Sequence, residues 1–347
     1  MKSICFVHKD IATIDRGGVC VLFKTLMSGL VKSGWDVSCI TQSDFKMDGV
    51  KVVTLPKTPD PLQYSKEVTK IVNQISPDIV ECSNWKFELL DYSQISDRKS
   101  KLIVRFDPPA STLFGESGLP LERYEKQLCE NADQTICVSK FCQKELIEKY
   151  KIEKSVVVYN GIDIDNILEL KTTSPVITLN KDKINIFWCG KTTKMKGFDL
   201  LLPIINISQN KIHWILNIGN SIEEVGLEKF DESIVTIIKN VPRNTQIGYW
   251  KACDMFLTTS RTEGFCLALG EALTLGLPSI VNSECEVFKE FKPNKFIHYS
   301  DCHSPKTILS EILTTDNTQK KSSTTQLNSQ FSSEEMIINS INVYNNL

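Results

Sequence analysis

Long apolar runs are missing from this chain. None reaches the roughly 18 consecutive residues needed to cross a bilayer. The opening Met1-Lys2-Ser3-Ile4-Cys5-Phe6-Val7 is too short an apolar stretch to be expected to act as a secretory leader. No sign of charge dominates: 42 acidic side chains against 40 basic ones leave a net −2, which gives no whole-chain basis for binding nucleic acid. Histidine is scarce, and the four present, His8, His213, His298 and His303, do not fall at metal-ligand spacing. Cysteine is plentiful at 12, yet no C-x-x-C pair occurs, and Cys5, Cys39, Cys137 and Cys189 sit singly in apolar, strand-like runs. That pattern argues for buried thiols in a reducing cytoplasm, and against a disulfide framework or a zinc site.

What is present is a repeated αβ pattern. A length of 347 residues suits two domains. Ile4–Val7, Val37–Thr41, Val50–Leu55, Ile79–Cys82, Leu102–Phe106, Gln134–Val138 and Ser155–Val158 read as short buried strands. Between them, Val19, Leu22, Phe23, Leu26, Met27 and Leu30 repeat at helical spacing up to the stop signal Gly34, and further helical patterns cover 63–76, 121–131 and 139–150. After the polar, linker-like Lys171-Thr172-Thr173-Ser174-Pro175 the pattern restarts, with strands at Ile184–Cys189, His213–Ile218, Ile234–Ile238, Asp254–Leu257 and Ser279–Val281. Helices are expected at Phe198–Ile205, Thr245–Ala252 and Leu267–Leu275. Strand–helix alternation predicts open, parallel, doubly wound α/β sheets covered on both faces. The expected layout is a first domain over 1–170, a second over 171–330, and a last amphipathic helix within 331–347 packing back on the first. The Ser/Thr/Asn/Gln-rich segment 314–335 precedes that helix and reads as exposed.

The stretch Ser260-Arg261-Thr262-Glu263-Gly264-Phe265-Cys266-Leu267-Ala268-Leu269-Gly270-Glu271 carries the chemistry. It sets two carboxylates eight residues apart, one in a loop after an apolar strand and one inside the helix that the loop opens. Helix N-termini expose unpaired N–H groups and the positive end of a dipole, which suits an anion such as a diphosphate. Ligands of open αβ sheets bind beyond the carboxyl ends of strands. Arg16–Gly18, Gly190–Lys196 and Glu263–Leu267 all fall there, in a cleft expected between two such domains.

These residues resemble the retaining glycosyltransferases of family 4, which have the two-domain GT-B architecture. The resemblance covers most of the chain. It is carried by Phe187-Trp188-Cys189-Gly190-Lys191 running on to Lys196-Gly197-Phe198-Asp199-Leu200-Leu201, by Ala252–Leu257 leading into Ser260–Glu271 and Gly276-Leu277-Pro278, and by Val158-Tyr159-Asn160-Gly161-Ile162-Asp163. The resemblance implies that Glu271 holds the donor's ribose hydroxyls and that Glu263 lies by the donor sugar. It implies that backbone N–H groups of Gly264, Phe265, Cys266 and Leu267 meet the diphosphate or sugar. Lys191 and Lys196, in the loop opened by Gly190, would neutralise the leaving diphosphate. Gly17 and Gly18 would let backbone approach donor phosphate or acceptor, and Val241 would support the nucleobase. The chain departs from the family at Lys191 (usually Arg), Cys266 (usually Gly) and Ala268 (often Pro). Asp107, before Pro108, stands where many relatives carry His near the reacting centre, and it reads either as a polar catalytic group or as an Asx-type turn residue.

The expected activity is retaining transfer of a hexose-type sugar from a nucleoside diphosphate, with UDP as the family default, to an acceptor hydroxyl in an α-linkage. The acceptor would be a surface polysaccharide, a glycolipid or a small natural product. Two fixed ammonium groups and a helix start would stabilise the charge that builds on the diphosphate, so no obligatory metal and no cofactor beyond the donor is expected. A sugar-nucleotide sensor or scaffold without turnover, a nucleotide-sugar epimerase and a phosphorylase are the competing readings. Asp163-Ile164-Asp165 imitates a metal-binding D-x-D but sits in a turn, and His8 reads first as a structural histidine. Lys140, Lys144, Lys149, Lys151 and Lys154 could make a weak peripheral contact with anionic lipid at the inner membrane face. The interleaved Glu145, Glu148 and Glu153 favour a solvated helix face instead. Donor base, sugar, acceptor and oligomeric state are not encoded in any readable motif.

Overall fold

A parallel strand covered on both faces must be apolar at consecutive positions, and Ile4-Cys5-Phe6-Val7 meets that demand. A computed structural model describes residues 2–13, 17–170, 182–218, 231–239, 241–292, 294–315 and 327–347, with Leu179 and Leu227. Arg16, the Lys171–Pro175 linker and 316–326 of the polar segment lie outside the described residues. The chain forms two units, one of Met1–Gly161 with Ser329–Leu347 and one of Ile162–Asn328. The first change of unit falls at Gly161 because the following helix, Ile164–Glu169, belongs with the second unit: a β-carbon on Gly270 would press into Ile162.

The first unit holds β1 (Ser3–Val7), β2 (Asp36–Thr41), β3 (Val50–Thr54), β4 (Ile79–Ser83), β5 (Lys101–Phe106), β6 (Gln134–Cys137) and β7 (Ser155–Val157). All are parallel, in the order β3-β2-β1-β4-β5-β6-β7. Side chains alternate between faces of a strand. Ile4 and Phe6 therefore pack with Phe23, Leu26 and Met336 on one face, and Cys5 and Val7 with Tyr64, Val68 and Leu128 on the other. The second unit holds β8 (Ile184–Cys189), β9 (Ile212–Asn217), β10 (Val235–Ile238), β11 (Met255–Thr258), β12 (Ser279–Asn282) and β13 (Ile297–Ser300), parallel in the order β10-β9-β8-β11-β12-β13. One face of this sheet is filled by Trp188 and Trp214, the other by the stack Phe187–Trp250–Phe256, with centroids 4.4 and 5.0 Å apart. In both sheets the strand order reverses beside the first strand, at β1/β4 and at β8/β11. Those are the points where doubly wound sheets take ligands.

The 139–150 pattern is an α-helix only over Lys140–Glu145 and continues as a π-helical turn over Leu146–Tyr150. β13 and the helix Pro305–Thr314 are additions to the elements read from sequence. All 12 cysteines are free thiols, and all but Cys189 are buried. No helix among the described residues is long and apolar enough to cross a membrane.

The last helix, Ser333–Asn345, returns to the first unit. Ser332 caps it by accepting from the Glu335 N–H at 3.2 Å. Its inner face meets a buried ion pair: Arg105 Nε donates to Glu81 Oε1 at 2.6 Å, and neither residue is exposed to solvent. Tyr344 donates its hydroxyl to Glu81 Oε2 at 2.6 Å, and Arg105 Nη2 donates to Ser340 Oγ at 3.2 Å and to the Tyr344 oxygen at 3.4 Å. A buried charge left without its partner is costly. Arg105→Ala is therefore expected to destabilise the first unit by about 3–5 kcal/mol, and Tyr344→Phe, which leaves one carboxylate oxygen without its donor, by about 1–3 kcal/mol. Denaturant titration followed by tryptophan fluorescence checks both, since the Trp35 ring meets Tyr344 edge-on with centroids 5.7 Å apart.

Candidate functional site

The second unit's site begins with a turn. After β8, Lys191–Lys196 loop outward and return at Gly197, whose φ is +65°, a left-handed conformation that favours glycine. A β-carbon there would collide with the Thr259 carbonyl. Only glycine therefore lets the loop after β8 lie on the loop after β11. The Thr259 hydroxyl donates to the Lys196 carbonyl at 3.0 Å and accepts from the Trp188 indole at 3.2 Å, and the Arg261 N–H donates to the Met195 carbonyl at 2.9 Å. Arg261 also grips Asp199 with two hydrogen bonds of 2.7 and 2.9 Å.

That contact brings Lys196 Nζ to 2.6 Å from Glu263 Oε1, which also accepts from the Ser260 hydroxyl at 2.7 Å. Burial disfavours the Lys196 ammonium, but the Glu263 carboxylate outweighs it and holds the pKa above the ordinary lysine value. Lys191 lies exposed on the same loop, and Gly190 packs against the Trp188 ring and Lys196. Phe265 turns inward onto Phe291, with centroids 5.3 Å apart. Cys266 then opens the helix Leu267–Thr274 with φ +73°. That conformation strains any residue bearing a β-carbon. The family's usual glycine is free of that strain, and the Cys266 departure thus has a backbone cost. Burial first, and then Glu263, push the Cys266 thiol well above the usual range, so it stays neutral. Burial and the Glu271 carboxylate likewise push Cys189 up to about 12.

Glu271 sits in the next turn of that helix, 7% exposed. Arg243 clamps it, with Nη2 donating to Oε1 at 2.5 Å and Nη1 to Oε2 at 3.2 Å, while Gln246 Oε1 accepts a further Nη1 bond at 3.2 Å. Arg243 opens the helix Arg243–Ala252, two residues after half-buried Val241. Sequence reasoning named Val241 and Glu271 and missed Arg243. The only local signal was a Pro-Arg pair at a helix start, since the carboxylate it holds lies 28 residues away.

The first unit has its own cluster. His8, just after β1, meets Glu88 in the loop after β4 at 3.2 Å, and the Lys9 N–H donates to the same carboxylate at 2.9 Å. Burial would lower His8, but the Glu88 carboxylate, helped by Cys20, holds it well above the ordinary histidine value. Lys86 and Phe87 in that loop both have positive φ, 62° and 43°, and Lys86 reaches Asp10 at 2.7 Å. Non-glycine residues held in this region gather at functional loops. Asp107 is half-buried, and its N–H donates to Asn84 Oδ1 at 2.8 Å. Gly17 caps the helix Gly18–Lys32 at φ +140°, and among the described residues no atom lies within 4 Å of where its β-carbon would stand. Asp163 caps the helix Ile164–Glu169 by accepting from the Asn166 N–H at 3.3 Å. Lys149 pairs with Glu145 at 3.3 Å. Among the described residues no three His, Cys, Asp or Glu side chains gather as a metal site.

Comparison with known proteins adds the following. Residues 16–166 match the family described as Glycosyltransferase Family 4, and residues 171–301 match Glycosyl transferases group 1. The O-antigen biosynthesis glycosyltransferase WclY of Escherichia coli is 29% identical over 211 residues, 56% of either chain. The chain spans about half the length of the curated relatives it matches at this level. Sucrose-phosphate synthase from Thermosynechococcus elongatus superposes with a TM-score of 0.80 at 15% identity, over 100% of this chain and 99% of that one. HepE of Anabaena, in complex with UDP-glucose, superposes with a TM-score of 0.75 at 16% identity, over 100% of both. At such identities the superpositions show the shared fold.

Two outcomes are expected. Gly197→Ala should destabilise the second unit by more than the roughly 1–2 kcal/mol of left-handed strain alone, because the Thr259 collision adds to it. Gly34→Ala, at φ +81° with open space around it, should cost only that strain. Equal losses in denaturant titrations would show that the loop contact is unimportant. His8 is raised in the folded state, so its contribution is full below the unfolded value of 6.5 and is lost as pH rises through the folded one. Urea midpoints should therefore fall with pH above 6.5, and His8→Gln should flatten that slope.

Proposed function

The chain belongs to the GT-B glycosyltransferases of the family 4 and group 1 type, and on that footing we propose that it transfers a hexose-type sugar from a UDP-sugar to an acceptor hydroxyl with retention, giving an α-linkage. The observation that carries this reading is the pair of charged clusters at the two ends of one short segment: Lys196–Glu263–Ser260 before the helix Leu267–Thr274, and Arg243–Glu271 within it. A diphosphate at the start of that helix would have the Lys196 ammonium on one side. The donor sugar would meet Glu263, and the ribose would meet Glu271.

Glycosyl transfer develops an oxocarbenium-like sugar and negative charge on the departing diphosphate. Groups that bind this charge more strongly in the transition state than in the ground state raise the rate. The Lys196 ammonium has three donors; Glu263 takes one, which leaves two for phosphate oxygens. Lys191, exposed on the same loop, would add a second charge. The displacement runs on the front face. The bond from the anomeric carbon to the diphosphate oxygen breaks, the acceptor oxygen bonds to that carbon, and its proton passes to the departing phosphate. No metal is required in this scheme. Asp107, half-buried in the first unit, would orient acceptor hydroxyls there. HepE's UDP-glucose and WclY's part in O-antigen biosynthesis support a UDP-hexose donor and a surface-polysaccharide or glycolipid acceptor. The 12 free thiols suit a reducing, cytoplasmic setting.

The test is transfer by the purified full chain from a panel of nucleoside-diphosphate sugars, with the product's anomeric configuration read by NMR. Lys196→Ala and Glu263→Gln should each lower kcat by about 10²–10³-fold with the circular dichroism unchanged, and excess chelator should leave the wild-type rate intact. Near-normal turnover in a folded Lys196→Ala protein would remove the assignment. Loss of activity in chelator, restored by a divalent cation, would remove the metal-free scheme.

A further inference from the structure

Building on the donor-site reading above, we infer that Arg243 is a positioning residue that holds Glu271 in the orientation for recognising the ribose of the donor, and so sets discrimination between ribo- and 2′-deoxyribonucleotides. A carboxylate has about four lone-pair sites. The fork–fork pairing of Arg243 uses one on each oxygen, at 2.5 and 3.2 Å, and fixes the plane of the group. Both bonds lie on the edge where the lone pairs of the two oxygens run parallel; the remaining site on each oxygen points to its own side of the group, so either can accept a single ribose hydroxyl in a fixed direction. An unclamped glutamate would swing about its side-chain torsions and offer that acceptor in no fixed direction. Gln246 holds the guanidinium in turn by accepting from Nη1.

Charge points the same way. Glu271 is 7% exposed and lies one turn inside the helix whose start would face the diphosphate. An unopposed carboxylate there would repel the anion, and Arg243 cancels it locally. The guanidinium side chain is itself one-third exposed, at the first turn of its helix, so replacing it leaves the core in place.

The experiment is isothermal titration of the full chain with UDP, GDP and ADP, followed by the 2′-deoxy counterpart of the tightest binder. Wild type should favour the ribonucleotide by about tenfold or more. Arg243→Ala and the volume-conserving Arg243→Gln should bring that ratio close to one, while Arg243→Lys, a point charge without the fork, should keep part of it. The ratio is insensitive to a general loss of stability, which would weaken both ligands alike. An unchanged ratio in a folded Arg243→Ala protein overturns the inference and leaves the donor-site reading standing. Wild type that binds none of the three nucleotides overturns both.

Discussion

The contact between the Gly197 turn and the Thr259 backbone organises the second unit's site. Without it the loop after β8 and the loop after β11 would be two separate excursions from the sheet, and Lys196 would have no carboxylate within reach. The requirement for glycine at 197 is thus a requirement on backbone distance, and the ion pair follows from it. The first sheet solves the same problem with different residues. There, too, the strands on either side of the order reversal send out loops that an acid–base pair ties together, His8 with Glu88. In each unit the ends of the two switch-point strands are joined by side chains.

The buried Arg105–Glu81 pair belongs to a different class. Desolvating two charges is expensive, and a buried pair is weak evidence of net stabilisation against an apolar alternative. Its role is better seen in what it selects. The Ser340 and Tyr344 hydroxyls of the last helix meet Arg105 Nη2 and the second Glu81 oxygen, so the pair favours a helix that offers hydroxyls at that spacing.

The strands of both units are legible in the sequence because parallel, doubly covered strands need consecutive apolar residues, a pattern few other elements produce. β13 escapes that reading because Ile297-His298-Tyr299-Ser300 is an edge strand with an exposed histidine, and it carries too little apolar periodicity. The loops that hold Glu263 and Lys196 are legible through glycine and charge spacing. What sequence does not disclose is who holds whom. Arg243 and Glu271, His8 and Glu88, and Arg105 and Glu81 are separated by 28, 80 and 24 residues, and only the sheet topology puts them side by side. Cys266 is a mixed case. Its departure from the family's usual glycine is visible at once, while its left-handed backbone becomes apparent only in three dimensions.

The first unit is discontinuous, since its last helix comes from the far end of the chain after the whole second unit. Chains emerge from the ribosome from the N-terminus, and domains tend to fold as they appear. The nascent first sheet must therefore wait, with Glu81 and Arg105 facing an uncovered surface, through the synthesis of more than half the protein. The second unit, whose sequence is uninterrupted, can mature sooner. Vectorial synthesis thus makes the N-terminal half the last to be completed, and leaves the face that the last helix will cover open in the interval.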